Sequence, residues 1–312
     1  MKMKNQTTVT EFILLELSSD PQMQIFFFLV FLVIYLITLS GNIMIMVVIR
    51  ADSHLQTPMY FFLFHLSFVD ICYSSVTVPN ALRNFLHKTI SVNGCLVQMF
   101  LFILSAGAEI FILSAMAYDR YAAICDPLHY VQTMSKGICI QLVSGAWTMG
   151  FFYALLNTLF ALKLHFCGLN QINHFSCELP PLLQLSCTET FTNQVVLLTS
   201  AVVLGLSSFL LTLISYIHII STILRIRSAE GRHKAFSTCS SHLIVVGLLY
   251  VTGFLQYTKP SSVSSVVLDE IFSIQYSILT PMLNPIVYSL KNKEVKTALR
   301  NILGKFSMCK SA

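Results

Sequence analysis

From Gln24 to Ile49 the chain carries no charged side chain at all. A helix needs roughly 20 apolar residues to cross the hydrocarbon core of a bilayer. Comparable runs extend from Thr57 to Val78, Cys95 to Tyr118, Ile138 to Leu162, Gln194 to Leu224, Ala235 to Tyr257 and Ile271 to Leu290, making seven candidate spans. Lipid offers no partner for an unpaired backbone N–H or C=O, so a span must be a helix or part of a closed barrel. The alternating strand pattern of a barrel is not present. Only 11% of the 312 residues are charged and 55% are hydrophobic, whereas soluble domains average about 25% charged. The expected fold is an all-α membrane protein, a seven-transmembrane helix bundle. Residues 1–23 read as an extracellular N-terminus, 24–290 as the membrane domain and 291–312 as a cytoplasmic amphipathic helix and tail. No cleavable signal is expected, because the first apolar run is too long for one.

Lys and Arg set the orientation. With the N-terminus outside, Lys2, Lys4, Arg83, Lys88, Lys163 and Lys259 face out, and the other thirteen of the 19 basic residues face in. The C-terminus is therefore expected in the cytoplasm, with the protein at the plasma membrane. A net charge of +5 could suggest nucleic acid, but six of the 19 basic residues lie in 291–312 and the rest are dispersed. Anionic lipid, not nucleic acid, is the expected partner of that tail. There Val295, Ala298, Leu299, Ile302 and Leu303 recur at helical spacing, with Lys291, Lys293, Lys296 and Arg300 on other faces.

On this topology Asn5-Gln6-Thr7 is an external glycosylation acceptor. Cys95, Cys167, Cys177 and Cys187 face an oxidising compartment, where four cysteines allow three pairings. Cys72, Cys125, Cys139, Cys239 and Cys309 are expected to be free. His174 and Cys177-Glu178 have metal-binding side chains, although a disulfide at Cys177 would remove its thiolate.

Several features carry charge or strain where a bilayer makes both costly. Asp70 and Glu109 lie mid-span with no basic neighbour, so a shared cation or a proton must neutralise them. Asp119 and Arg120 stand at the inner end of the third span, where Arg120 either pairs or snorkels. Asn284-Pro285 breaks the helical ladder near the inner end of the seventh, as a plain kink or as a hinge. No HExxH string or Gly-rich loop points to an enzyme, and no repeat with paired broken helices points to a transporter.

Gly41-Asn42, Pro58-Met59-Tyr60-Phe61-Phe62-Leu63 and Met116-Ala117-Tyr118-Asp119-Arg120-Tyr121 occur in order along the spans. Ser215-Tyr216, Lys234-Ala235-Phe236-Ser237-Thr238-Cys239 with Ser240-Ser241-His242, and Pro281-Met282-Leu283-Asn284-Pro285-Ile286-Val287-Tyr288 follow. With these strings the chain resembles the odorant receptors of the large tetrapod class, a branch of the rhodopsin-like G-protein-coupled receptors. Gln56 and Ala122 depart from the usual residues. The resemblance implies a receptor, not an enzyme, for small volatile, mostly neutral molecules, which activates a stimulatory (olfactory-type) G protein and raises cAMP. A receptor of the same fold serving another tissue is the alternative.

The resemblance also assigns roles. It implies disulfides Cys95–Cys177 and Cys167–Cys187. Asp119, Arg120 and Tyr121 would form the coupling end, with Tyr216, Asn284, Pro285 and Tyr288 as the switch. Sodium is the one cofactor implied, at Asp70 and Glu109; the alternative is a protonated network with Asn42 and Asn284. Receptors for amines carry an Asp where this chain has Phe102. Phe102, Ile103, Ala106 and Gly107 are thus expected to form an apolar wall with room beside it. Ser200, Leu204, Tyr250, Gly253, Tyr257 and Ser277 would line the rest, with Tyr250 as the aromatic toggle. Each of these could instead be ordinary helix packing.

Overall fold

The computed structural model describes residues 9–14, 20–168, 170–258, 266–291 and 294–301. Asn5 and Cys309 lie outside them. The first helix, α1, runs Pro21–Ala51. It starts where Asp20 accepts the Gln22 N–H and Pro21 takes the first turn, a position that needs no donor. Next come α2, Pro58–Leu86, and α3, Val92–Cys125, capped by Ser91 accepting from Gly94 N. A one-turn helix α4, Tyr130–Thr133, leads into α5, Lys136–Ala161. The short α6, Leu179–Gln184, precedes α7, Phe191–Arg225, and α8, Ala229–Thr258. The last bundle member is composite: α9, Val266–Ile274, a π-turn at Gln275–Leu279, and α10, Thr280–Lys291. Residues 294–301 form α11, with Val295 and Ala298 buried.

Among the described residues five helices (α1, α2, α3, α5 and α7) are long and apolar enough to cross a membrane. The sixth, α8, qualifies as a span bent by 43°. Burial is inverted relative to a soluble protein. Ile25, Leu29, Val33 and Leu36 recur at helical spacing on α1 and are exposed, as are Leu198, Val202, Leu206 and Leu213 on α7. Apolar stripes of that length need an apolar solvent. The polar residues Asn42, Asp70, Glu109 and Asn284 point instead into the bundle, each at 2% exposure or less.

The helices are not the whole fold. The N-terminal segment, read from sequence as an extracellular N-terminus, contains strand β1, Glu11–Leu14. It pairs antiparallel with β2, Thr89–Ser91, and parallel with β3, Gln171–Ile172. Phe12 and Leu14 alternate inward with period two and are buried, Phe12 edge-on against Phe166. This sheet draws the N-terminus and two loops together over one end of the bundle.

Two disulfides fasten the same end. Cys95 joins Cys177 with Cα atoms 5.3 Å apart, and Cys167 joins Cys187 at 5.9 Å. The first closes a loop of 82 residues, worth roughly 4–5 kcal/mol in chain entropy. Peptide mapping without reduction should recover both linkages; a Cys167–Cys177 peptide would show the loop to be folded otherwise. Cys72, Cys125, Cys139 and Cys239 are free thiols.

Candidate functional site

Near the sheet-covered end, Phe102 on α3 meets two tyrosines from other helices. Its ring centroid lies 5.1 Å from Tyr73 of α2 and 5.9 Å from Tyr276 in the π-turn, both edge-on. Edge-to-face aromatic contacts of this kind favour a fixed geometry over loose packing. The Tyr276 hydroxyl donates to Glu178 Oε2 at 2.5 Å. Glu178, buried just beyond the Cys95–Cys177 disulfide, also receives the Ser273 hydroxyl and, at 3.0 Å, that of Ser176. The loop is thereby fixed to both α3 and the seventh bundle member.

The other predicted ligand residues are less gathered than expected. Ile103 is buried in a cluster with Met99, Ala154 and Leu179. Gly107 does not border open space. A Cβ there would lie 2.9 Å from the Gly150 Cα, because α3 and α5 touch backbone to backbone at that level. The room its missing side chain leaves is filled by a helix. Ala106 and Leu204 are half-buried. Ser200 spends its hydroxyl on the Val196 carbonyl and takes Asn157 Nδ2 at 3.4 Å, a link between α5 and α7. Ser277 similarly donates to Ser273 O at 2.6 Å. Tyr250 packs edge-on against Phe209, its hydroxyl buried without a partner. Gly253 has open space where a Cβ would stand. Tyr257 lies on α8, and its side chain is outside the described residues.

Two clefts open on the flanks of this end. One, about 480 Å³, is lined by Pro180, Leu183, Gln194 and Leu197; the other, about 330 Å³, by Leu96, Phe100, Thr158 and Leu162. Neither touches a predicted ligand residue.

At mid-bundle Asn284 Nδ2 donates to both oxygens of Asp70, at 3.0 Å each. Glu109 is near enough for the two carboxylates to interact. Asn42 ties α1 to α10 by donating to Pro281 O at 3.0 Å. Beside it the Pro285 ring seats against Gly41, where a Cβ would come within 3.1 Å. Among the described residues Glu109 Oε1, Asn284 Oδ1 and Asn42 Oδ1 are buried acceptors without a partner. Oxygen acceptors of this kind suit a hard cation. Among the described residues no group of three His, Cys, Asp or Glu side chains forms a metal site, so His174, Cys177 and Glu178 do not make one. Cys177 is spent in its disulfide.

At the other end Asp119 accepts the Tyr130 hydroxyl at 2.8 Å and stands 3.9 Å from Arg120 Nε. Burial, then the Asp119 carboxylate, push the Tyr130 phenol well above its usual range, so it remains a donor at physiological pH. Arg120 is 9% exposed, and its Nη2 has no partner among the described residues. Tyr121 stacks on Tyr118. Tyr216 and His242 stack and share a hydrogen bond of 2.6 Å, while His242 Nε2 lies 3.0 Å from Leu113 O. With Nδ1 accepting from the phenol, Nε2 is the donor to that carbonyl. Tyr288 is buried, and its hydroxyl has no partner among the described residues.

A family model described as "Olfactory receptor" matches residues 31–305. Human olfactory receptor 5M10 is 51% identical over 310 residues, covering 99% of this chain and 98% of that protein. Human olfactory receptor 8S1 is 53% identical over 298 residues, 95% of this chain and 82% of its own. Mouse olfactory receptor 5G9 is 48% identical over 304 residues, 97% of each.

This chain belongs to the olfactory receptor family.

It is accordingly a multi-pass membrane receptor of the seven-helix type and not an enzyme. Within this olfactory receptor the structure brings Asp70, Glu109 and Asn284 together, and Asp119 with Arg120. It does not bring Tyr216 to Tyr288 by hydrogen bond; Tyr216 is engaged by His242. Sequence reading missed His242, Tyr130, Tyr73, Ser273 and Tyr276 as site residues. Only His242 stood inside a quoted motif, and nothing in that motif's spacing indicated Tyr216.

Proposed function

We propose that this olfactory receptor binds a small volatile, mostly neutral molecule in the outer half of its bundle. Binding activates a stimulatory, olfactory-type G protein at the opposite end and raises cAMP. In this reading the N-terminus is extracellular and glycosylated at Asn5, and the C-terminus is cytoplasmic. The bundle spans the plasma membrane, and the tail lies on inner-leaflet lipid. The observation that carries the reading is the state of Arg120: a buried guanidinium with one long contact to Asp119 and a nitrogen left without a partner. Buried donors without partners are costly. Such a group favours any conformation that delivers carbonyl acceptors to it, which an inserted helix C-terminus does. Tyr216 and Tyr288 beside it supply the moving parts, and Asn284-Pro285 the hinge. Phe102 and the half-buried Ala106, Leu204 and Gly253 supply apolar contact for the ligand. The test is cAMP in cells expressing the receptor, challenged with a diverse volatile panel with and without the G protein. Ion flux that persists without G protein would replace this reading with a channel.

The unpartnered oxygens of Glu109, Asn284 and Asn42, with the Asp70 carboxylate beside Asn284, support a sodium ion that belongs to the resting packing. Ligand and cation then oppose each other by linkage. The odorant dose–response should shift to higher concentration in sodium than in an inert organic cation. Asp70→Asn and Glu109→Gln should each reduce that shift. Identical wild-type curves in both buffers would leave the protonated network instead.

A further inference from the structure

Glu178 gathers hydroxyl donors from two directions. Ser176 of its own loop donates to Oε1, and so does Ser273 of α9; Tyr276 of the π-turn donates to Oε2. Behind it His174 Nδ1 accepts the Ser176 N–H at 3.2 Å, so the ring's proton sits on Nε2, 3.9 Å from Glu178 Oε1. An ionised carboxylate offers about four acceptor sites. Oε1 has two hydroxyl donors and Oε2 has one, so one acceptor site on Oε2 is unfilled among the described residues. That oxygen is the one joined to Tyr276, whose ring faces Phe102. Phe102 and Tyr276 face each other across the bundle and both keep part of their surface exposed.

We propose that Glu178 is the specificity-determining residue of the odorant chamber and that it selects ligands bearing a hydroxyl group. The ligand's O–H donates to Oε2, beside Tyr276 or in its place, while the carbon skeleton lies against Phe102 and Tyr73. This rests on the reading that odorants bind in the outer half of the bundle. A ketone or ester of the same skeleton brings only acceptors to this point. The hydroxyl hydrogens of Ser176, Ser273 and Tyr276 are already directed at the carboxylate, so a carbonyl oxygen would meet lone pairs and find no donor. A site built to receive a donor rejects an analogue lacking it, because its own buried acceptor stays unpaired. A primary ammonium could also donate and would pair with the carboxylate, but that pairing must offset the loss of its hydration shell.

The experiment compares matched alcohols, ketones and primary amines of one carbon skeleton at a time. Each is given to cells expressing wild type, Glu178→Gln or Tyr276→Phe, with surface expression measured in parallel. Wild type should respond to alcohols at concentrations about tenfold or more below those for the ketones. Glu178→Gln, whose amide offers a donor as well as an acceptor, should bring that ratio close to one, largely through a weaker alcohol response. Tyr276→Phe frees a second site on Oε2 and keeps the carboxylate, so it should preserve or raise the preference for alcohols. It also serves as the informative variant if Glu178→Gln does not reach the surface. The assignment is overturned if wild type prefers ketones or amines. It is equally overturned if Glu178→Gln keeps the wild-type ratio, or if Tyr276→Phe removes the preference; in each of these cases odorant-driven cAMP still stands. A well-expressed wild type that answers no volatile at all would overturn the receptor reading, and this assignment with it.

Discussion

Arg120→Ala should reduce odorant-driven cAMP to background while leaving ligand affinity within about threefold of wild type. The asymmetry follows from where the residue sits and what it touches. Asp119 is already engaged by the Tyr130 hydroxyl and reaches only the Arg120 Nε, at 3.9 Å. Among the described residues the rest of the guanidinium is buried without a matching carboxylate, and Nη2 has no partner. Leaving a charged donor unsatisfied costs on the order of 1–3 kcal/mol or more. An acceptor-bearing partner that docks there recovers that energy, and the alanine variant removes the reason for docking. The aromatic cluster at Phe102 lies some five helical turns away along α3, so its geometry does not depend on Arg120. The measurement pairs cAMP with a direct binding readout at equal surface expression. Affinity that falls in step with signalling would mean that Arg120 holds the fold together and does not serve coupling.

Gly150→Leu should largely abolish surface expression, and Gly150→Ala should reduce it. A Cβ at Gly150 would lie 2.7 Å from Leu104 O and 3.1 Å from Ala108 N, both backbone atoms of α3. Neither can rotate aside. Replacing a mid-helix glycine with alanine gains up to about 1 kcal/mol in helix propensity. Overpacking a fixed contact costs about 1–3 kcal/mol, so the clash wins, and leucine worsens it. Helices in a bilayer associate through close packing and not by leaving water. Forcing α3 and α5 apart therefore removes what joins them. Gly145 on the same helix has nothing within 4 Å of its missing Cβ, and Gly145→Ala is the control that should express normally. Surface staining of the three variants decides it. Normal display of Gly150→Leu would mean that the two backbones are not in contact.

The spans were legible because a bilayer enforces a one-dimensional rule: charge-free runs of sufficient length have few other places to go. Even so, reading by hydropathy treated Ile271 to Leu290 as one uniform helix. No composition signal marks Gln275–Leu279 as a π-turn, since the difference is one of hydrogen-bond register. The strand at Glu11–Leu14 was hidden for another reason. Its partners, Thr89–Ser91 and Gln171–Ile172, are distant in sequence, and four alternating residues carry little weight alone. The same distance hid the chamber. Glu178 stood next to Cys177 and His174, which suggested a metal cluster, while its actual partners Ser273 and Tyr276 are on the far side of the chain. Gly107 shows the opposite error. A glycine on a ligand-facing helix implies room beside it, but its sequence does not distinguish a gap that admits a guest from one filled by a neighbouring backbone.

The π-turn has a geometric consequence for the whole seventh bundle member. Three α-helical turns span about 11 residues, one fewer than separates Tyr276 from Tyr288. In an unbroken helix those two side chains would diverge by more than 100°. The π-turn absorbs the surplus residue, and both tyrosines point inward, one to Glu178 and the other into the buried inner core. One strip of a single rod thus addresses the chamber at one end and the arginine at the other. Because Tyr276 lies within the π-turn and Tyr288 in α10 beyond it, the two ends can be aimed separately.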